Sequence, residues 1–273
     1  MTGPQNAHPP SALVRHWTAH VQTALMRVAV LAALLVAVSM AVASAAGTPA
    51  TGMQQINGFS IDRTEVRIAD FRRFVQATGT LTAAERAGGG KTYEAGWEQR
   101  KGWVWHSPYG KSAADGEPAA HVTHAEAQAF CHWAGKRLPT DAEWGEAAYT
   151  ERRSAPPAGF VRGKTYPYPT GDSPKGANCL GDCGSVAPVS HAVTSRGRGH
   201  ALAGSTAAGV NGLFEMGGNL WEWVDSGPGR EQRTRGGSWW YGAGPMQDQH
   251  VQGKPAETAV IYIGFRCARD LSR

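Results

Sequence analysis

The placement of four cysteines limits this chain more than any other feature. Cys131, Cys179, Cys183 and Cys267 all follow an apolar leader. The first 45 residues hold Arg15 and Arg27 and no acidic residue, then an apolar run over 28–42, then Ala43, Ser44, Ala45 and Ala46. A basic start, an apolar core and an A-x-A site read as a secretory signal over 1–45. The apolar run is shorter than the roughly 20 residues that span a bilayer. A membrane is therefore expected only as an anchor if the signal stays uncleaved. Met26, just before Arg27, is an alternative start of the same signal. The location that follows is periplasmic or secreted.

An even cysteine count in an exported chain favours disulfides over thiols. Four cysteines allow three pairings. Cys179 and Cys183 are near enough in sequence to close locally, which leaves Cys131 for Cys267. The rival for Cys179 and Cys183 is a metal site, but zinc needs further ligands and no His stands beside them at a usual spacing.

Composition excludes several classes. With 10 Trp and 35 Gly, the chain is too aromatic for a disordered protein and suits a loop-rich globular domain. The formal net charge is +5, of which the leader's two arginines are part, and no Lys/Arg block stands out. Nucleic acid is not an expected partner.

Along the chain, residues 46–57 read as a linker and 58–273 as one domain. Gly58 to Asp62 alternates apolar and polar, which predicts a short strand. Ile68, Phe71, Phe74 and Val75 share a helical face near 67–77, with Gly79 as the stop. Residues 85–120 show no period and predict loops pinned by Trp97, Trp103, Trp105 and Tyr109. Thr123-His-Ala-Glu126 and Thr140-Asp-Ala-Glu143 are capping boxes, so two short helices follow in succession. Later β-prone pieces are 220–224, 238–241 and 260–265.

Several phrases then fall in a specific order. They are Gly58-Phe-Ser-Ile-Asp-Arg-Thr-Glu65-Val66, Gly135-Lys-Arg-Leu-Pro-Thr140, Gly212-Leu-Phe-Glu-Met-Gly-Gly-Asn-Leu-Trp-Glu-Trp223, Arg235-Gly-Gly-Ser-Trp239 and Gly264-Phe-Arg-Cys267. From about Gly58 to Arg269 the chain resembles the formylglycine-generating enzyme family, also called the sulfatase-modifying domain. The resemblance implies an α+β, C-type-lectin-like fold with little regular structure, stabilised by disulfides. It also implies the Cys131–Cys267 pair.

The family's oxidases hold Cu(I) on two cysteines placed three and eight residues after the serine of the Arg-Gly-Gly-Ser phrase. From Ser238 those positions are Tyr241 and Met246. Soft Cu(I) wants thiolates, so copper is not expected. The resemblance instead implies structural calcium on the Glu215 and Glu222 side chains and the Gly218 and Leu220 carbonyls, a set of hard oxygens. Ser238, Trp240, Tyr241, Met246 and His250 are the candidates for a C-terminal groove that takes a peptide or small-molecule ligand. The expected function is a divergent oxidoreductase acting on a peptide or siderophore-like substrate. The alternatives are a ligand-binding module without catalysis and a true formylglycine generator. Nothing in the residues fixes an oligomeric state.

Overall fold

The two ends of the domain meet in one sheet. In the computed structural model, which describes residues 52–271 apart from Ser185 and Val193, β1 (Met53–Gln55) pairs with β2 (Phe59–Asp62), and β2 pairs with β9 (Ala268–Asp270). Both pairings are antiparallel, with Ile61 opposite Gln54 on one side and Ala268 on the other. The apolar leader lies outside the described residues. Met53–Gln55 was expected as linker; it is an edge strand, because its backbone completes the pairing of β2.

Helix α1 (Ile68–Thr78) buries Ile68, Phe71 and Phe74, as the spacing predicts. Gly79 ends it at φ 69°, a left-handed conformation that glycine adopts without a Cβ clash. A one-turn helix α2 (Ala83–Arg86) follows behind a capping box of Thr82 and Glu85. Then a hairpin forms, β3 (Lys91–Tyr93) against β4 (Trp97–Gln99). This hairpin corrects the expectation of unbroken loop over 85–120. Its three-residue strands expose Tyr93 and Trp97, so no apolar alternation marks them.

Helices α3 (His124–Trp133) and α4 (Asp141–Tyr149) both carry the expected capping boxes. Thr123 and Thr140 accept from the N–H groups of Glu126 and Glu143, and each glutamate returns a bond to its cap. The second sheet has the order β7-β6-β5-β8: β7 (Gln252–Pro255), β6 (Glu231–Arg235), β5 (Trp221–Trp223) and β8 (Ile263–Gly264). Only β5 and β8 run parallel. Residues 238–241, expected as a strand, instead turn, with the Tyr241 N–H bonded to the Ser238 carbonyl.

Apolar packing gathers α1, α3, β5 and β8 around Phe71, Phe130 and Phe265. Both disulfides are present: Cys131–Cys267 spans 136 residues and Cys179–Cys183 spans four. Cys131 and Cys267 are fully buried, so the bridge fixes α3 to the segment before β9 inside the core. Among the described residues no helix is long and apolar enough to cross a membrane.

One buried ion pair joins these layers. Arg266 donates through Nε and Nη2 to the two oxygens of Glu222, at 2.7 and 2.6 Å, and both side chains are wholly buried. The same guanidinium reaches the carbonyls of Asp62 and Phe214. The Trp144 indole of α4 donates to Glu222 at 2.8 Å. Burial works against the Arg266 charge, yet Glu222, with Glu65 and Glu215 beyond it, holds its pKa above the ordinary arginine value.

His121 is also sealed in. Its side chain is fully buried, Nε2 sits 3.0 Å from the Pro108 carbonyl, and a Cβ on Gly90 would meet its ring at 2.1 Å. Burial pushes its pKa down to about 4.

Three outcomes follow for stability. Cys131→Ser with Cys267→Ser should cost about 5 kcal/mol by loop closure, against about 2 kcal/mol for the Cys179/Cys183 double serine variant; denaturant unfolding orders the two. Arg266→Met should cost about 3–5 kcal/mol, because it strands a buried carboxylate; the same titration reads it. His121 must be neutral in the fold, so its contribution is complete above pH 6.5 and is lost as pH falls towards about 4. Melting temperature should drop over that window, and the drop should be shallower in His121→Gln.

Candidate functional site

The turn at 215–222 gathers the acidic residues. Glu215 and Asn219 adopt positive φ, 54° and 55°, and Gly218 sits at 77°, so the chain doubles back before entering β5. A Cβ on Gly218 would lie 2.4 Å from the Asn178 carbonyl, so the close approach of these two segments requires glycine. Glu215 and Glu222 are both buried, as is Glu65 from the segment after β2. Glu65 was not singled out from the sequence. It accepts from Asn219 Nδ2 at 2.6 Å and from the Leu220 N–H at 3.0 Å. Burial, then the charges of Glu215 and Glu222, push its carboxyl well above the usual range. Burial also raises Glu215, against bonds from Gly204 and Thr206.

The donor types here suit calcium, and the four expected ligands do lie on one turn. The side chains, however, are already committed. Glu215 accepts from the Gly204 N–H and from the N–H and hydroxyl of Thr206. Both oxygens of Glu222 face Arg266. Among the described residues no three His, Cys, Asp or Glu side chains converge on a metal position. As folded, Glu215 and Glu222 do not fit an added cation, and only the two carbonyls would remain, too few for an ion that takes six to eight oxygens.

The groove candidates divide by burial. Ser238, Trp240 and Met246 are buried at 1%, 3% and 0% exposure, whereas Tyr241 and His250 are half-buried. Met246 packs on the Cys179–Cys183 bridge, with its sulfur 3.7 Å from Cys183 Sγ, and its carbonyl accepts from the Tyr149 hydroxyl. It serves as an apolar contact there. Trp240 stacks on Tyr262 at 6.1 Å, and Arg196 lies over its ring at 4.1 Å while donating to its carbonyl. Tyr241 packs edge-on to Trp221 and Tyr262, and His250 lies 6.1 Å from Trp221. The structure thus brings Tyr241 and His250 to the same indole, and places Ser238, Trp240 and Met246 in the interior. No cysteine is free.

A second cluster had no sequence signal. Glu117 Oε2 lies 2.8 Å from His200 Nε2 and 3.1 Å from His191 Nε2. The Tyr109 hydroxyl accepts the His200 N–H at 2.9 Å and stands 3.2 Å from His200 Nδ1. These residues come from separate loops, 83 residues apart for Glu117 and His200. Only folding reveals them.

Known proteins place the chain. It is 28% identical over 257 residues to the formylglycine-generating enzyme of Mus musculus, covering 79% of this chain and 67% of that protein. It is 29% identical over 255 residues to the hercynine oxygenase of Mycolicibacterium thermoresistibile, covering 80% of this chain and 52% of that one. The solved structure of PvdO from Pseudomonas aeruginosa superposes with a TM-score of 0.54 at 21% identity, over 78% of this chain and 80% of that chain. The α+β, C-type-lectin-like architecture expected from the sequence is therefore the fold observed. The family model for the sulfatase-modifying factor enzyme 1-like domain matches residues 31–271, and this chain belongs to that family.

Proposed function

We propose that this protein is a divergent, exported member of the family that acts on a small-molecule or peptide substrate as an oxidoreductase, without the copper-thiolate chemistry that oxidises a sulfatase cysteine. One observation carries the reading. The two positions expected to supply thiolates are Tyr241 and Met246, and Met246 is walled in beneath a disulfide. A thioether is a weaker ligand for Cu(I) than a thiolate, and this one has no open side. The four cysteines are consumed in two bridges, so no thiolate can substitute from elsewhere.

The similarity to a hercynine oxygenase supports a small substrate within this family. The leader of residues 1–45 and the two disulfides support export to a periplasmic or extracellular space. Calcium at the acidic turn is left out of the proposal, because Glu215 and Glu222 are committed to protein donors and the Gly218 and Leu220 carbonyls alone are too few.

A second reading, ligand binding without catalysis, is favoured by the burial of Ser238, Trp240 and Met246, which leaves only Tyr241 and His250 of the groove candidates partly exposed. Oxygen uptake separates the two. Purified protein supplied with Cu(I), oxygen and a cysteine-containing sulfatase peptide should form no aldehyde product by mass spectrometry. Aldehyde formation at ordinary turnover would refute the proposal. Elemental analysis of the purified protein then decides between readings: stoichiometric copper or iron supports the oxidoreductase, and its absence together with no oxygen uptake supports the binding domain.

A further inference from the structure

A groove of about 590 Å³ lies between α2, the β3–β4 hairpin and β7. Its volume falls inside the range of small-molecule sites. None of the groove candidates at 238–250 borders it, so what it binds is independent of the redox reading above. Its walls are fastened to one another. Gln99 Nε2 donates to the Ala87 and Gly89 carbonyls at 2.6 and 3.1 Å, which ties β4 to the end of α2. The Lys91 N–H donates to the Ala259 carbonyl, and the Ile261 N–H donates back to Lys91, which ties the hairpin to the far wall.

Two side chains in the lining lack a protein partner for what they offer. The first is Trp97, which is 57% exposed. Tyr93 packs against it in a T-shaped pair at 5.5 Å. An indole gains more from being covered than almost any other side chain, and a flat ring covers it best. Ala83, Ala84 and Pro255 continue the apolar wall.

The second is Lys254, on the edge strand β7. Burial pushes its ammonium below the ordinary lysine value, and no neighbouring carboxylate offsets it. Gln232 stands directly across the ladder, but its carbonyl accepts from the Ser226 hydroxyl and its amide donates to the Gly227 carbonyl. A charge half withdrawn from water and left unpaired costs free energy, which a bound anion would return. Lys91, the other cation in the lining, is exposed and keeps its hydration, so an anion gains less from it.

Charge and hydrogen bonding then narrow the occupant. Glu257 also borders the groove, so two cations there face one carboxylate, a balance suited to a single negative charge. The amides at the start of α2 offer a phosphate nothing. The Thr82 N–H is taken by Glu85 and the Ala83 N–H by Glu126, and both carboxylates would repel a dianion. We propose that this groove binds a small aromatic monocarboxylate, with its carboxylate on the Lys254 ammonium and its ring on the Trp97 indole.

The test is calorimetric titration of the purified protein with 2-naphthoate at neutral pH. Binding should saturate at one molecule per chain. 2-Naphthamide, the uncharged counterpart, should bind at least about tenfold more weakly, as should 2-naphthoate to Lys254→Gln. Cyclohexanecarboxylate, which has the charge without the aromatic ring, should bind about three- to tenfold more weakly, as should 2-naphthoate to Trp97→Ala. Lys254→Arg should retain binding, which separates loss of charge from loss of fold. Lys175→Gln, at an exposed position outside the groove, should bind as the parent does. Lys91→Gln should lose less affinity than Lys254→Gln. No saturable binding, equal affinity for 2-naphthamide, or unchanged affinity in Lys254→Gln would overturn the proposal. A greater loss in Lys91→Gln than in Lys254→Gln would overturn it too, since the hydrated lysine would then hold the anion.

Discussion

The contact between Arg266 and Glu222 organises the rest of this molecule. A guanidinium and a carboxylate with no solvent exposure are tolerable only when every donor and acceptor is met. Here that demand recruits Trp144 from α4, the Asp62 carbonyl at the end of β2 and the Phe214 carbonyl before the acidic turn. The guanidinium thus holds three separate segments in register, and Glu222 adds α4 through Trp144. The disulfide at the neighbouring residue, Cys267, then anchors the same segment to α3. In a chain with strands of two to five residues, such fixed polar joints do what long ladders do elsewhere.

That joint also explains the acidic turn. Glu65 and Glu215 are buried near a single cation that Glu222 already claims. Glu215 is satisfied instead by the 204–206 loop, and Glu65 by Asn219 and the Leu220 N–H. Charge surplus is handled by hydrogen bonding, against burial that pushes the Glu65 carboxyl up. The turn reads as a structural element that positions β5.

Local signals were legible where a few adjacent residues decide the outcome. The boxes at Thr123 and Thr140 gave helix starts to the residue, since cap and N3 partner are three positions apart. Gly79 gave a stop for the same reason. The β3–β4 and β6–β7 pairs were not legible, because exposed Tyr93 and Trp97 and polar Glu231 to Arg235 carry no apolar period. The family phrases located Tyr241 and Met246, but the burial of Met246 depends on a disulfide and on Tyr149, distant in sequence. Glu117, His191 and His200 belong to no motif at all. Their meeting is a property of loop closure, and a sequence shows loops only as an absence of pattern.

The order in which the domain can assemble follows from where β9 sits. Ala268–Asp270 supplies one edge of the sheet whose other two strands lie before residue 63. Arg266 and Cys267 come immediately before it. A nascent chain emerging from a ribosome would thus carry its early strands, helices and aromatic side chains without the pieces that lock them. Those early pieces would lack their ionic and covalent fastening until almost the whole domain had been synthesised, so final closure is an event of the last few residues.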